Sequence, residues 1–302
     1  MKKIAIVILH FANQRQTSEC LTSVKKLDVH GLKVEAFIVN NSSREDLSRL
    51  KKNFHDFIFL DPGKNLGYAT GNNLGIREAL GNKADFVFIV NNDTILEKDL
   101  LLELVKAADL NKKAGILGPK IYFAPGYEFH KERYKKEDQG KVIWYVGGVI
   151  DWQNIVASHR GVDEVDYGQY DTSLETDFVS GCAMFVKKEV FEKIGLFDER
   201  FFLYWEDVDF CQRAKRAGYK VVFIPQAKLW HANAGSSQVG GPLHDYYMTR
   251  NRLLFGMKFA NFRTKLALLK QSWQILLQGR RWQKIGVRDF YLGKFGQGSL
   301  KL

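Results

Sequence analysis

The segment ADFVFIVNNDTIL (84–96) carries an apolar run, Phe86–Val90, straight into Asn91, Asn92 and Asp93. A run so apolar belongs inside a protein, so its polar tip needs a purpose. A carboxylate at a strand tip in a cleft is a ligand for a hard divalent cation, Mn2+ or Mg2+. A helix cap is the other reading, because LEKDLLLEL follows, although Asp93 sits early for a helix that starts near Lys98. With only amides beside it, a cation at Asp93 needs a ligand from elsewhere. His231 in PQAKLWHANAGSS (225–237) is the candidate; a satisfied structural histidine is the alternative.

Two further stretches and one arginine carry chemistry. In FFLYWEDVDFCQRAKRAGY (201–219), an aromatic run ending at Trp205 opens a helix on Glu206, Asp207 and Asp209. The helix dipole favours an ionised carboxylate there, and a carboxylate against an aromatic wall can act as general base toward a hydroxyl. The same acids could instead cap the helix and pair with Arg213 or Arg216. In GKNLGYATGNNLGI (63–76), Gly67, Gly71 and Gly75 permit close backbone approach and positive φ, while Asn65, Asn72 and Asn73 offer amides. The helix after them points its N-terminus at the same place, which suits phosphate. The glycine spacing matches neither a P-loop nor a dinucleotide fingerprint, and a plain turn is an equal reading. Arg250 could neutralise a diphosphate or simply be solvated.

The elements that must position these groups alternate. Ile4–Leu9, Val34–Val39, Phe57–Leu60 and Phe86–Val90 read as strands; residues 15–27, 46–53, 74–80 and 98–110 read as helices. This pattern predicts an α/β fold with a parallel, doubly wound sheet. Ligands sit beyond the carboxyl ends of such strands, where Asn40-Asn41-Ser42-Ser43, Asp61 and Asn91-Asn92-Asp93 fall. Residues 126–176 have weak periodicity. Phe178–Val186 is an apolar segment broken by Ser180-Gly181-Cys182, residues 206–218 read as a helix, and Val221–Ile224 as a strand ending at Pro225. Residues 255–277 read as one helix with Leu266, Leu269, Trp273, Leu276 and Leu277 near one face.

The chain has 302 residues and a net charge of +11. Ten Lys and Arg against one acid, Asp289, put +9 of that charge in residues 258–302. The rest is nearly neutral, which argues against a nucleic-acid surface; the basic tail suggests a membrane surface or a phosphate-bearing ligand. Cys20, Cys182 and Cys211 are widely spaced, consistent with free thiols in a reducing, cytoplasmic compartment. MKKIAIVILHF imitates a signal start, but polar NQRQTSE follows without a small-residue cleavage site, so it reads as a buried strand.

In order along the chain, VNNSS, NLGYATGNNLGI, VNNDT, VSGCAMFV, GLFDERFFLYWEDVDFCQRAKRAGY, LWHANAGSS and YYMTRNRLLF resemble the family-2 glycosyltransferases, in their rhamnosyltransferase-like and galactofuranosyltransferase-like branch. The resemblance spans most of residues 1–255, and RDFYLGKFGQG in the tail is similar too. It implies a GT-A fold, with a nucleotide-sugar half at about 1–120, an acceptor half at about 121–255, and a helical basic tail from 256. It implies an inverting transferase that takes a nucleoside-diphosphate-sugar as donor and a saccharide as acceptor. The acceptor would be polyprenyl-diphosphate-linked, the sugar a deoxysugar such as rhamnose, and the place of work the inner membrane surface during cell-surface polysaccharide assembly. By the same resemblance Asp93 and His231 hold the metal and Asp207, beside Glu206, is the base. Asn40, Asn65, Gly67, Gly71, Asn72 and Asn92 line the nucleotide-sugar, and Gly181, Trp205 and Arg250 contact acceptor or diphosphate. Many relatives carry an acid at the position of Asn40, so the nucleotide base is less determined here. Two other classes compete. A nucleotidyltransferase on a similar sheet needs a Gly-rich basic loop after the first strand, where this chain has HFANQRQ. A non-catalytic basic binding module would not need Asp93, Asp207 and His231.

Overall fold

The computed structural model describes residues 1–42, 45–232 and 240–300. Ser43 and the 233–237 part of LWHANAGSS lie outside the described residues. Strands β1 (Lys2–His10), β2 (Leu32–Asn40), β3 (Ile58–Leu60) and β4 (Phe86–Asn91) are parallel neighbours in the order β4-β1-β2-β3. Helices α1 (Gln14–Lys25), α2 (Ser48–Asn53) and α3 (Gly67–Gly81) connect them, and the short β5 (Thr94–Leu96) and α4 (Leu100–Leu110) follow. Beyond α4 come β6 (Ala114–Phe123), β7 (Ile143–Tyr145), the hairpin β8 (Gly148–Asp151) and β9 (Val156–His159), and β10 (Leu174–Glu175). Then follow β11 (Ala183–Lys187), α5 (Lys188–Ile194), α6 (Glu206–Arg216), β12 (Lys220–His231), α7 (Pro242–Phe259), α8 (Phe262–Gln278) and α9 (Arg281–Tyr291).

One sheet runs β10-β12-β6-β11-β4-β1-β2-β3. Strand β11 is antiparallel to both β4 and β6, while β12 is parallel to β6. The carboxyl ends of β1, β2, β3, β4, β6 and β12 therefore share one edge, and β11 begins at that edge. Strand β1 shows why the sheet is covered on both sides: Ile4, Ile6 and Ile8 enter one core with α1 and α4, Ala5 and Val7 the other with α3, α5 and α6.

Four expectations are corrected. Helix α3 starts at Gly67, so the glycine-rich stretch is mostly helix. A Cβ on Gly71 would stand 2.5 Å from Leu9, and one on Gly75 2.5 Å from Val7. Those glycines let α3 press on β1, and they are not a backbone cradle. Strand β12 does not stop at Pro225: an irregularity between Ile224 and Lys228 passes the proline, and pairing with β6 resumes through His231. The tail helix is two, because α7 ends at Phe259 and Asn261 caps α8, its side chain accepting from Thr264 N at 3.0 Å. Finally, α7 (Pro242–Phe259) runs straight through residue 256, where the tail was expected to begin, and it packs on α9.

Candidate active site

The polar strand tips meet at the shared edge. Asp93 lies in the turn between β4 and β5. Because β5 pairs back on β12, with Thr94 opposite His231, the His231 Nε2 comes to 3.2 Å from Asp93 Oδ1. The Ala232 amide donates to the Asp93 carbonyl at 2.8 Å and closes the same turn. The His231 ring stands edge-on to Trp144, 4.6 Å between centroids, and lies close enough to Cys182 for the two to feel each other's charge. Burial opposes charge on both partners. Even so, the imidazolium holds the Asp93 carboxyl below its usual range, while Cys182 and Asp93 together raise His231 above the usual imidazole value.

Asp207 hangs on the residue next to Cys182. The Gly181 amide donates to Asp207 Oδ2 at 2.8 Å and the Val208 amide to Oδ1 at 2.8 Å. The Gly181 carbonyl accepts from the Tyr68 hydroxyl at 2.5 Å. Gly181 has no room for a side chain, since a Cβ would meet the Tyr68 hydroxyl at 2.9 Å. Burial raises the Asp207 carboxyl above its ordinary value, against the pull of these two amides. Glu206 is shut in, with its Oε2 unpartnered; burial and then the charge of Asp207 push it well up. Asp209, the third acid of the run, is a buried ion-pair residue that accepts from Arg213 Nε at 2.8 Å and pairs with Lys258.

The loop that delivers these acids is wound the unfavourable way. Phe202, Tyr204 and Trp205 have φ of 64°, 66° and 74°. Asn251 on α7 holds it there: its Nδ2 donates to the carbonyls of Phe201, Leu203 and Tyr204 at 2.7, 2.8 and 2.9 Å. Trp205 packs on Phe255, 4.9 Å between centroids, and its Nε1 is buried without a partner.

Arg250 and the N-terminus of α3 are placed differently from expectation, and the amides expected at the nucleotide have partners of their own. Arg250 is fully buried. Its guanidinium donates to the carbonyls of Arg200, Phe201 and Lys294 at 3.2, 3.1 and 3.3 Å and stacks near Tyr246 and Tyr247. It is neither solvated nor free to meet a diphosphate. The N-terminus of α3 is also taken, because Tyr68 N and Ala69 N donate to the Phe202 carbonyl at 2.6 and 3.2 Å, and Gly67 (φ 78°) lies beneath the Phe202 ring. Asn65 accepts from Gly67 N at 2.8 Å and from Asn41 Nδ2 at 3.1 Å, so it shapes the loop. Asn92 ties the turn to Thr17 at 2.8 Å. Asn72 donates to the Tyr68 carbonyl at 3.0 Å and leaves its buried Oδ1 unpartnered. Asn40 donates to Asp61 Oδ2 at 3.3 Å, which puts an acid beside it from the neighbouring strand.

As a cation site, Asp93 and His231 supply one carboxylate and one imidazole. Asp93 Oδ1 and His231 Nδ1 are buried and lack hydrogen-bond partners, the 3.2 Å contact having ion-pair distance without hydrogen-bond alignment. Among the described residues no three His, Cys, Asp or Glu side chains are grouped to hold a metal. The pair fits part of a coordination shell that water and phosphate oxygens would complete.

The family described as Glycosyl transferase family 2 matches residues 5–195. The chain belongs to that family. The match covers β1 to α5 and stops short of Asp207 and His231. It sets aside the nucleotidyltransferase and the non-catalytic module. Among relatives, a low-salt glycan biosynthesis hexosyltransferase of Haloferax volcanii is 24% identical over 82% of this chain and 69% of its own. An N-acetylglucosaminyl-diphospho-decaprenol L-rhamnosyltransferase of Mycobacterium tuberculosis is 27% identical over 68% of each chain. A dTDP-rhamnosyl transferase of Shigella flexneri is 23% identical over 83% of this chain and 78% of its own. These relatives place this family-2 glycosyltransferase in the rhamnosyltransferase-like branch. Its fold is GT-A: GalNAc-T7, solved with UDP, GalNAc and Mn2+, superposes with a TM-score of 0.61 at 14% identity, over 82% of this chain and 48% of that one.

The sequence reading missed Tyr68 and Asn251. Tyr68 lay in view inside NLGYATG, and Asn251 inside TRNR, but neither has a spacing that announces a partner more than a hundred, or about fifty, residues away.

Proposed function

We propose that this glycosyltransferase is inverting and metal-dependent, and moves a sugar from a nucleoside-diphosphate-sugar to a hydroxyl of a saccharide acceptor. The observation that carries this reading is that Asp207, held by the Gly181 amide, and the Asp93–His231 pair, 3.2 Å apart, both sit at the edge where such sheets bind ligands. Asp207 is the base rather than Glu206: it is half-buried and reachable, whereas Glu206 is closed off and favours its neutral form. The Gly181 and Val208 amides fix both Asp207 oxygens and leave each a lone pair for an incoming hydroxyl. That hydroxyl loses its proton to Asp207 as its oxygen attacks the anomeric carbon. The bond to the leaving diphosphate breaks on the opposite face, which inverts the centre in one displacement.

Asp93 and His231 would hold the divalent cation, and the imidazole would favour Mn2+ over Mg2+. When bound, the cation neutralises charge developing on the leaving diphosphate. Asn40 with Asp61, and Asn65 with Asn72, border the nucleotide. Trp205 and Gly181 border the acceptor. The names of the Mycobacterium tuberculosis and Shigella flexneri relatives support rhamnose as the sugar, and that of the former a polyprenyl-diphosphate-linked saccharide as the acceptor; the step belongs in this reading to cell-surface polysaccharide assembly. The test is a screen of nucleoside-diphosphate-sugars for transfer and for thermal protection, with and without Mn2+. Protection by one donor, dependent on Mn2+ and on Asp93, is expected; no protection by any donor would refute the reading.

A further inference from the structure

Helix α8 buries one side against the domain and shows apolar residues on the opposite one. Its inner side carries Thr264, Leu268 and Ser272, all buried, and Leu268 fills the space over Gly256 of α7. Its outer side carries Phe262, Leu266, Trp273 and Leu277, which are 74%, 51%, 63% and 74% exposed. At about 100° per residue these four fall within a stripe roughly 60° wide. Leu269 and Leu276 border it. The stripe continues onto the end of α9, where Tyr291 lies 6.2 Å from Trp273 between ring centroids and Leu292 is exposed. A surface helix normally buries its one apolar face. This one buries a face and shows a second.

Charge says what covers the second face. Arg263 and Lys270 flank the stripe along α8, and Lys284 of α9 donates to the Leu277 carbonyl at 2.9 Å at its far end. The one acid of residues 258–302, Asp289, is buried and accepts from Tyr246 at 2.6 Å and Ser299 at 2.9 Å, so it does not offset these cations at the surface. No described helix is long and apolar enough to cross a membrane. We propose that the outer face of α8, with the end of α9, docks on an anionic lipid bilayer. The helix lies in the interface with Phe262, Leu266, Trp273 and Leu277 inserted, and Arg263, Lys270 and Lys284 meet lipid phosphates. Large aromatic and aliphatic side chains with cations along one edge and no acid of residues 258–302 at the surface match that surface chemically. The inference concerns attachment and stands whatever the donor or acceptor.

Flotation of the full-length protein tests it, with vesicles of phosphatidylcholine alone and of phosphatidylcholine mixed with phosphatidylglycerol. Binding at least about tenfold tighter to the anionic vesicles, weakened by salt, is expected. Trp273→Ser with Leu277→Ser should abolish it, and Lys270→Glu with Arg263→Glu should remove the preference for anionic lipid. Both double variants should keep the melting temperature, because those side chains point outward. Asp93→Ala should float like the native chain, which separates failure of this inference from failure of the proposed chemistry. Equal or absent binding to both vesicles would overturn the proposal. So would concentration-dependent self-association lost in the Trp273 and Leu277 variant without any vesicle binding, which assigns the face to a second copy.

Discussion

Asn251 holds the carbonyl of Tyr204 at 2.9 Å, two residues ahead of the acid that opens α6, and the same amide nitrogen reaches Phe201 and Leu203. Three non-glycine residues with positive φ in a span of four cost roughly 1–3 kcal/mol each, and such strain persists only where the surroundings impose it. Asn251→Asp keeps the shape, removes the donors and sets a carboxylate against three carbonyls. The melting temperature should fall. In the surviving folded fraction kcat should drop by roughly 10²-fold, as expected for a catalytic group displaced by about 1 Å. The Kd for nucleoside diphosphate should stay within about threefold, because its proposed contacts lie on other elements. Calorimetric titration beside steady-state rates checks the split, and an equal loss in both would dissociate the loop from Asp207.

Asp207 should set the acidic limb of the pH profile. A base works ionised, so kcat/KM falls as pH drops through its folded pKa. Burial raises that value above the ordinary aspartate figure of about 3.9, so the limb should lie at higher pH than an exposed aspartate gives. Asp207→Asn should lose about 10²–10⁴-fold in kcat, keep donor binding, and erase the limb. A rate profile from acid to neutral pH on both proteins checks it; a limb unchanged in Asp207→Asn would move the base elsewhere.

The Asp93–His231 pair should govern metal response. Chelator should stop transfer, and Mn2+ should restore it better than Mg2+. His231→Ala removes a direct ligand, so its loss of Mn2+ affinity in the presence of nucleoside diphosphate should be at least the roughly 10- to 100-fold seen for outer-shell partners. Calorimetry with Mn2+ and the nucleotide reads this without turnover. Unchanged Mn2+ affinity in His231→Ala would return the histidine to a purely structural role.

The strand edge and its polar tips were legible from the sequence because apolar runs end abruptly at Asn40, Asp61 and Asn91, and a parallel sheet lines such ends up. What was not legible depended on distant partners. Gly67, Gly71 and Gly75 read equally as a phosphate-suited loop or a plain turn, yet their spacing of four is that of one helix face, and only Phe202, Leu9 and Val7 opposite reveal its purpose. Arg250 read as a diphosphate contact or a solvated cation because nothing local distinguishes an arginine that caps carbonyls of residues 200 and 201 from one that is free to meet a ligand or water. Pro225 read as a strand end, and the irregularity that carries β12 past it is set by pairing with β6. The segment 126–176 gave little because its strands are two to four residues long, too short to show a period.

Arg250 should be a stability residue. Its buried guanidinium satisfies three main-chain carbonyls and stacks near two tyrosines. Arg250→Ala leaves those acceptors unpaired and a cavity behind, and should cost about 3 kcal/mol or more. Arg250→Lys should cost nearly as much, since an ammonium cannot span the fork. Denaturant titration measures both. A stable Arg250→Ala with weakened diphosphate binding would restore the contact role expected from sequence.

Glu206 should make the protein less stable as pH rises. Its folded pKa lies well above its unfolded value of about 4.3 because burial and the Asp207 charge disfavour ionisation. The folded state therefore binds a proton that the unfolded state releases. Stability from this group is fully present below the unfolded pKa and is lost as pH climbs toward the folded one. Glu206→Gln imitates the protonated form at every pH. It should match the native stability near pH 4 and exceed it at pH 8, by about 1.4 kcal/mol for each pKa unit of displacement. Denaturant titrations at the two pH values give the difference directly, and equal stabilities at pH 8 would mean that Glu206 is ionised inside the fold, paired with a charge that the structure does not place there.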